Sequence, residues 1–324
     1  WLGLVGSEMC IRDRDQIEAG YEMLKANDCK AILAVGGGSS IDAAKVIGAR
    51  AKNNKAIVKM AGLFRVFWGM LPLYVVPTTA GTGSEVTIAA VVSDPSQQRK
   101  LPIMDLKLMP TATALDGALM TGLPPHITAA TGMDALTHAV EAYISRGALK
   151  RTDEKAIEAT QLVMENLPTA YSEGSNIEAR QNMARASNLA GIAFTQAGVG
   201  YVHAIAHNFG ARYHTPHGLA NAIVMPHVLE YSKPNCAGRL ADLARACNIG
   251  PAGGSDEQLA DAFIGKIKEL KQQFEIPEKL DALKAEDISP IAVAARAEAR
   301  FTYAVPRYIC CLLYTSPSPR DQAK

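Results

Sequence analysis

Several signals are missing from this 324-residue sequence, and each absence removes a class of function. Charge of one sign is missing: 33 Lys and Arg face 32 Asp and Glu, a formal net charge of +1. No basic field exists to hold a polyanion, so no nucleic-acid partner is expected. Gly, Pro or charge interrupts every apolar stretch well before the roughly 20 residues of a bilayer span, so no membrane partner is expected either. The six cysteines, Cys10, Cys29, Cys236, Cys247, Cys310 and Cys311, form no CxxC pair and no disulfide framework. That pattern suits a reducing, cytoplasmic setting. No charged-then-apolar leader opens the sequence, which leaves secretion unsupported. Repeats and low-complexity tracts are absent as well. What remains is globular composition, 48% hydrophobic and 20% charged. At roughly 100–200 residues per domain, two domains are expected.

The two ends differ from the middle. WLGLVGSEMCIRDR at the start and YICCLLYTSPSPRDQAK at the end carry neither a helical nor a strand period. Both resemble translated adapter scars, so residues 1–14 and 310–324 are read as non-native tails.

Between them the grammar is legible. Ile17, Tyr21 and Leu24 fall on one helical face within Asp15 to Lys30. The continuous apolar run Ala31 to Val35 then predicts a parallel strand covered on both faces. Gly36-Gly37-Gly38-Ser39-Ser40 leads from it into a helix over Ile41 to Val46. A second strand, Leu71 to Val76, ends in Pro77-Thr78-Thr79-Ala80-Gly81-Thr82-Gly83-Ser84. Val86 to Ser93 and Lys100 to Met104 bracket Asp94-Pro95-Ser96 as a hairpin. Beyond Pro124-Pro125 long Ala-rich helical patterns take over, such as Asp153 to Asn166, and strand signals fade. The fold class is therefore α/β: an N-terminal Rossmann-like dinucleotide-binding domain over 15–124, truncated at its start, and an all-helical metal-binding domain over 125–309.

The histidines cluster. His203, His207, His214, His217 and His227 fall within 25 positions. Asp134 and His138 are i and i+4 on a predicted helix, so both side chains leave one face and can grip one divalent ion. His203 and His207 repeat that spacing, and Thr215-Pro216-His217-Gly218 marks a bend that could aim His217 back at them. An Asp with several His suits Fe²⁺ or Zn²⁺; spacing alone separates neither the metals nor His203 from His207 as ligand. The two Gly- and Thr-rich loops offer backbone N–H groups, hydroxyls and a helix N-terminus to a pyrophosphate.

Four motifs, AVGGGSSIDAAK, VPTTAGTGSEVT, TGMDALTHAVEAY and VHAIAHNFGARYHTPHGLAN, resemble in this order the iron-containing (group III) alcohol dehydrogenase family. The resemblance spans nearly all of residues 15–308. It implies metal ligands at Asp134, His138, His203 and His217, with His207 near nicotinamide and substrate as the catalytic histidine. It implies cofactor contacts at Gly36, Gly37, Gly38, Ser39, Asp42, Thr78, Thr79 and Thr82, and places Phe194 in the substrate pocket. The implied cofactors are NAD or NADP and Fe²⁺, with Zn²⁺ as the alternative. The implied activity is reversible hydride transfer between NAD(P) and a primary alcohol or aldehyde, short and aliphatic, in a homodimer or higher homo-oligomer. Two other readings stand beside it: a glycerol-dehydrogenase-like Zn²⁺ polyol dehydrogenase, and a metal-dependent hydrolase that leaves both loops without a purpose.

Overall fold

The computed structural model describes residues 12–94 and 99–309. Most of the two tail segments, together with Cys10, Cys310, Cys311 and the turn at Pro95-Ser96, lie outside the described residues. Arg12 to Arg14, grouped above with the first tail, take part in the fold. Asp13 bridges to Ser93 and Arg14 Nη1 pairs with Asp94 Oδ2 at 3.3 Å.

Helix α1 (Arg14–Ala26) buries Ile17 completely, as its apolar spacing predicts. The strands that follow are β1 (Ile32–Gly36), β2 (Gly62–Leu63), β3 (Leu73–Pro77), β4 (Ala89–Asp94), β5 (Arg99–Met104) and β6 (Ala112–Thr113), with α2 (Gly38–Lys52) after β1. They form two three-stranded sheets. One is parallel in the order β1-β3-β6; the other, β2-β5-β4, contains the expected antiparallel hairpin of β4 with β5.

One expectation needs correcting. β1 is parallel to β3 but is not covered on both faces: Leu33, Val35 and Tyr74 are about half exposed, whereas Ala34, Leu73 and Val75 are buried. The physical reason is a single covering layer. α2 packs Ile41 and Ala44 into the same cluster as Ala34, Leu73 and Val75, and no described element lies over the opposite face. A continuous apolar run shows that both faces of a strand tolerate burial; it does not show what covers them.

α2 is tied to the second sheet by a buried cation. Lys45 is fully buried, and its Nζ donates to Thr87 O and Ala89 O, both at 2.8 Å, and to Thr87 Oγ1 at 3.1 Å. Loss of hydration pushes its pKa down to about 8 despite the nearby Asp42 and Glu85 carboxylates. Asp42 completes the brace, with one oxygen accepting from Ser84 Oγ at 2.7 Å and the other from Val91 N at 3.0 Å.

From Pro125 onward the described chain is helical: α3 (Pro125–Ile144), α4 (Lys150–Ser172), α5 (Ile177–Ala197), α6 (Tyr201–Tyr213), α7 (His217–Ala246), α8 (Asp256–Gln273) and α9 (Ala285–Thr302). Met133, Leu136 and Val140 of α3 share one core with Val163 and Leu167 of α4, Val202 of α6 and Met225 of α7. Each such side chain contributes about 1.5–3 kcal/mol by leaving water. Burial on several sides is what makes α3 rigid enough to carry a site. Among the described residues no single helix is long and apolar enough to cross a membrane.

The buried ammonium yields a stability prediction. Lys45→Met removes the donor from two buried carbonyls and should lower the unfolding free energy in urea by about 2 kcal/mol. An unchanged denaturation midpoint would show that the ammonium does not hold α2 to the sheet.

Candidate metal centre and nucleotide cleft

The parallel register decides where the two sequence loops lie. Gly36 and Pro77, the last residues of β1 and β3, are paired neighbours, and Thr78 N donates to Gly36 O at 3.0 Å. Both loops therefore leave the same carboxyl edge of the sheet, the position where open α/β sheets bind ligands. They pack on each other there: a Cβ on Gly38 would come within 2.7 Å of Thr82. Gly37 is the N-cap of α2; no side chain caps it, and the first turn carries no acid. Orphan backbone donors and the positive end of the helix thus face the Gly36 to Ser39 turn, an arrangement that suits a phosphate. Asp42 lies one turn into the helix, with both carboxylate oxygens engaged by the brace described above.

The second loop also reaches the helical part. Gly81 O lies 3.2 Å from His138 Nδ1. One short segment therefore touches the phosphate-type turn on one side and a histidine of α3 on the other. That contact ties the second loop to the α3 face that carries Asp134 and His138.

Four sequence-predicted ligands come together. Asp134 and His138 leave one face of α3, His203 stands in the first turn of α6, and His217 begins α7. One ligand atom from each lies within 4.8 Å of every other. The α6–α7 turn produces the predicted bend: His214 takes a left-handed φ of 54°, and Thr215-Pro216 leads into His217. Gly218 then lets α7 approach α3 closely, since a Cβ there would fall 2.2 Å from Ala130 O. His217 Nε2 thereby lies 3.6 Å from Asp134 Oδ1. Two ligands about 2.1 Å from one tetrahedral ion would be about 3.4 Å apart, so the spacing fits. His214 and His227 are exposed and stay outside the group.

The electrostatics fit a cation as well. Burial pushes the His138 pKa down, drives that of His203 well below its ordinary value, and takes His217 down to about 4. All three imidazoles are therefore neutral at pH 7, the form that donates a lone pair to a metal. Asn221, one turn after His217 and fully buried, points its amide Nδ2 at three of these atoms: Asp134 Oδ1 (2.6 Å), His203 Nε2 (3.2 Å) and His217 Nε2 (3.3 Å). Its Oδ1 has no hydrogen-bond partner. Acceptors converging on one electropositive group are the environment a divalent ion requires.

Sequence reasoning missed three residues here. Glu141, also on α3, accepts from Gly200 N (2.8 Å), Val202 N (2.7 Å) and His203 Nδ1 (2.6 Å), so one buried carboxylate caps α6 and fixes the tautomer of a ligand. Burial moves its pKa up to about 7 against those three donors. Its signal was present, since Glu141 follows His138 by three residues and shares its face. Asn221 follows His217 by four and was equally readable. Lys100 on β5 is the third. Its Nζ lies 3.2 Å from the position of a Cβ on Gly210 of α6, and its charge helps keep His217 neutral. No spacing rule links positions 100 and 210.

His207 lies beside the group, not in it. Its ring stacks on His217 at 5.4 Å between centroids, and its Nδ1 bonds Glu298 at 2.8 Å. Phe194 of α5 stacks on His138 at 4.2 Å. An apolar ring thus borders the ligands on one side and a half-open histidine on the other.

A dinucleotide-type loop pair beside an Asp/His₃ centre defines a metal-dependent oxidoreductase. Residues 12–117 match the iron-containing alcohol dehydrogenase family, and residues 128–310 match the C-terminal region of the Fe-containing alcohol dehydrogenase family. The chain belongs to the iron-containing alcohol dehydrogenase family, whose members use NAD(H) and a divalent metal. It is 39% identical over 279 residues to the NAD-dependent methanol dehydrogenase of Bacillus methanolicus, covering 86% of this chain and 73% of that protein. It is 44% identical over 255 residues to the 1-propanol dehydrogenase of Citrobacter freundii, covering 78% of this chain and 66% of that protein. Its fold superposes on the crystal structure of a 1,3-propanediol oxidoreductase with a TM-score of 0.88 and 38% identity, over 92% of this chain and 78% of that one.

Two measurements check the centre. His217→Ala should weaken Zn²⁺ binding by at least about 100-fold, and Glu141→Ala by about 10- to 100-fold, in competition with a chelator. His214→Ala should change nothing. Because the imidazoles are already neutral, Zn²⁺ uptake at pH 7 should release fewer than about one proton, by calorimetry in buffers of different ionisation enthalpy. Release of two or more would contradict the neutral-ligand assignment.

Proposed function

We propose that this chain catalyses reversible hydride transfer between NAD(P) and a primary alcohol or aldehyde, short and aliphatic, at the Asp134–His138–His203–His217 centre. The observation that supports the reading best is the contact of Gly81 with His138, which joins the Gly- and Thr-rich loop after β3 to the Asp/His group. Relatives described as a methanol and a 1-propanol dehydrogenase support the substrate class. Neither the hydrolase nor the polyol dehydrogenase reading is favoured: the relatives are alcohol, propanol and propanediol dehydrogenases. When bound, the divalent metal supplies Lewis-acid polarisation of the substrate oxygen, and the nicotinamide supplies the hydride acceptor.

The residues have separable tasks. Asp134, His138, His203 and His217 hold the metal. Gly36, Gly37, Gly38 and Ser39, with Asp42 behind them, and Thr78, Thr79 and Thr82 hold the nucleotide at the sheet edge. Phe194 and the Val86 to Ala90 segment line the apolar side, where a short alkyl group excludes water. His207, outside the ligand set and half exposed, passes the alcohol's proton toward solvent. The dinucleotide-binding domain spans 12–124, with Arg12 to Arg14 included because they join its fold, and the helical metal-binding domain 125–309, in a cytoplasmic homodimer or larger assembly.

Purified protein loaded with Fe²⁺ or Zn²⁺ should form NADH or NADPH from 1-propanol, followed at 340 nm. His207→Gln should slow turnover by about 100-fold while retaining metal. Gly38→Val should raise the KM for the nucleotide, because its side chain collides with Thr82. Metal loss in the His207 variant would reassign that histidine as a ligand.

A further inference from the structure

Helix α9 carries no motif, yet it supplies a hydrogen-bonded partner to the site. Glu298 Oε1 receives two hydrogen bonds, from His207 Nδ1 at 2.8 Å and from the Tyr303 hydroxyl at 2.7 Å. Burial, and then the Glu298 charge, push the Tyr303 phenol far above its ordinary pKa, so it stays a donor. Glu298 therefore has an oxygen fixed from one side by a phenol and offered on the other to an imidazole. A carboxylate oxygen in that position accepts, which requires Nδ1 of His207 to carry the ring proton.

We propose that Glu298 and Tyr303 are positioning residues that hold His207 in its Nδ1–H tautomer, leaving Nε2 as the acceptor nitrogen of a ring that stacks on His217. This rests on the alcohol dehydrogenase reading only for its consequence. In alcohol oxidation the C–H bond breaks with its electron pair going to the nicotinamide ring, the hydroxyl proton passes to Nε2, and the carbonyl forms. The opposite tautomer presents an N–H to that hydroxyl and cannot accept.

The pair is separable from the docking of α9. That helix is fastened to α6 elsewhere, through Arg212 Nη1 to Asp287 Oδ1 at 2.7 Å and through the Tyr213 hydroxyl to Asp287. Ile291, Ala295 and Ala299 are buried along it. Loss of Glu298 therefore leaves the helix anchored.

The test is the tautomer itself, read by long-range ¹H–¹⁵N correlation on histidine-labelled, Zn²⁺-loaded protein, with His207 assigned from His207→Gln. The wild type should show a protonated Nδ1 and an unprotonated Nε2. Glu298→Ala should shift His207 toward the Nε2–H form and lower kcat about tenfold, with KM and metal content nearly unchanged. Tyr303→Phe should move both in the same direction by less, and Glu298→Gln, which keeps an acceptor oxygen, should restore most of the tautomer. Asp287→Ala, which loosens α9 elsewhere, should lower stability without moving the tautomer. A His207 signal unchanged in Glu298→Ala, or shifted equally in Asp287→Ala, overturns the proposal. Absence of any alcohol oxidation in a wild type that shows the expected tautomer would sink the functional reading instead and leave this placement standing.

Discussion

The close approach of α7 to α3 is the constraint on which the site depends. Gly218 abuts Ala130 O at a distance no side chain tolerates, and that contact sets His217 opposite Asp134. Without it the carboxylate on α3 and the imidazole on α7 would stand too far apart to share one ion. With it, a largely buried group forms whose three imidazoles are neutral and whose ligand atoms lie within reach of one ion. The cost of burying these polar side chains is offset by their hydrogen bonds to Asn221, Glu141 and Gly81 O and by the ion they would hold.

The remaining layers serve that group. Glu141 orients His203 and caps α6 in one step. The Lys45 and Asp42 brace fixes the start of α2 to the second sheet and to Ser84, which places the loop that carries Gly81. Gly81 in turn contacts His138. Hydride transfer needs donor and acceptor carbons in near-attack geometry, and this chain of contacts is how a sheet edge and a helix bundle come to share one cleft.

Much of this was legible in the sequence, for a physical reason. Helical i, i+4 spacing is a local rule, so Asp134 with His138 could be read directly, and Pro216 with Gly218 announced the bend before α7. Glycine loops after apolar strands announced in the same way the sheet edge at which both turns lie together. What could not be read is long-range. Spacing left His203 and His207 equivalent; the family resemblance separated them, and the structure gives each its own tertiary partner, Glu141 for one and Glu298 for the other. The reach of Lys100 to α6 and the part played by α9 depend on packing between distant segments. The exposed face of β1 was misread because an apolar run reports tolerance of burial and not the presence of a cover.

The most direct test of the central claim is anomalous scattering at the Fe or Zn edge from crystals grown with that metal and NAD⁺. The account predicts one peak bonded at about 2.0–2.3 Å to Asp134, His138, His203 and His217 together. It also predicts nucleotide density running from it to the Gly36–Ser39 turn. A peak that omits Asp134 or recruits His207 in place of His203, or nucleotide density elsewhere, would contradict it.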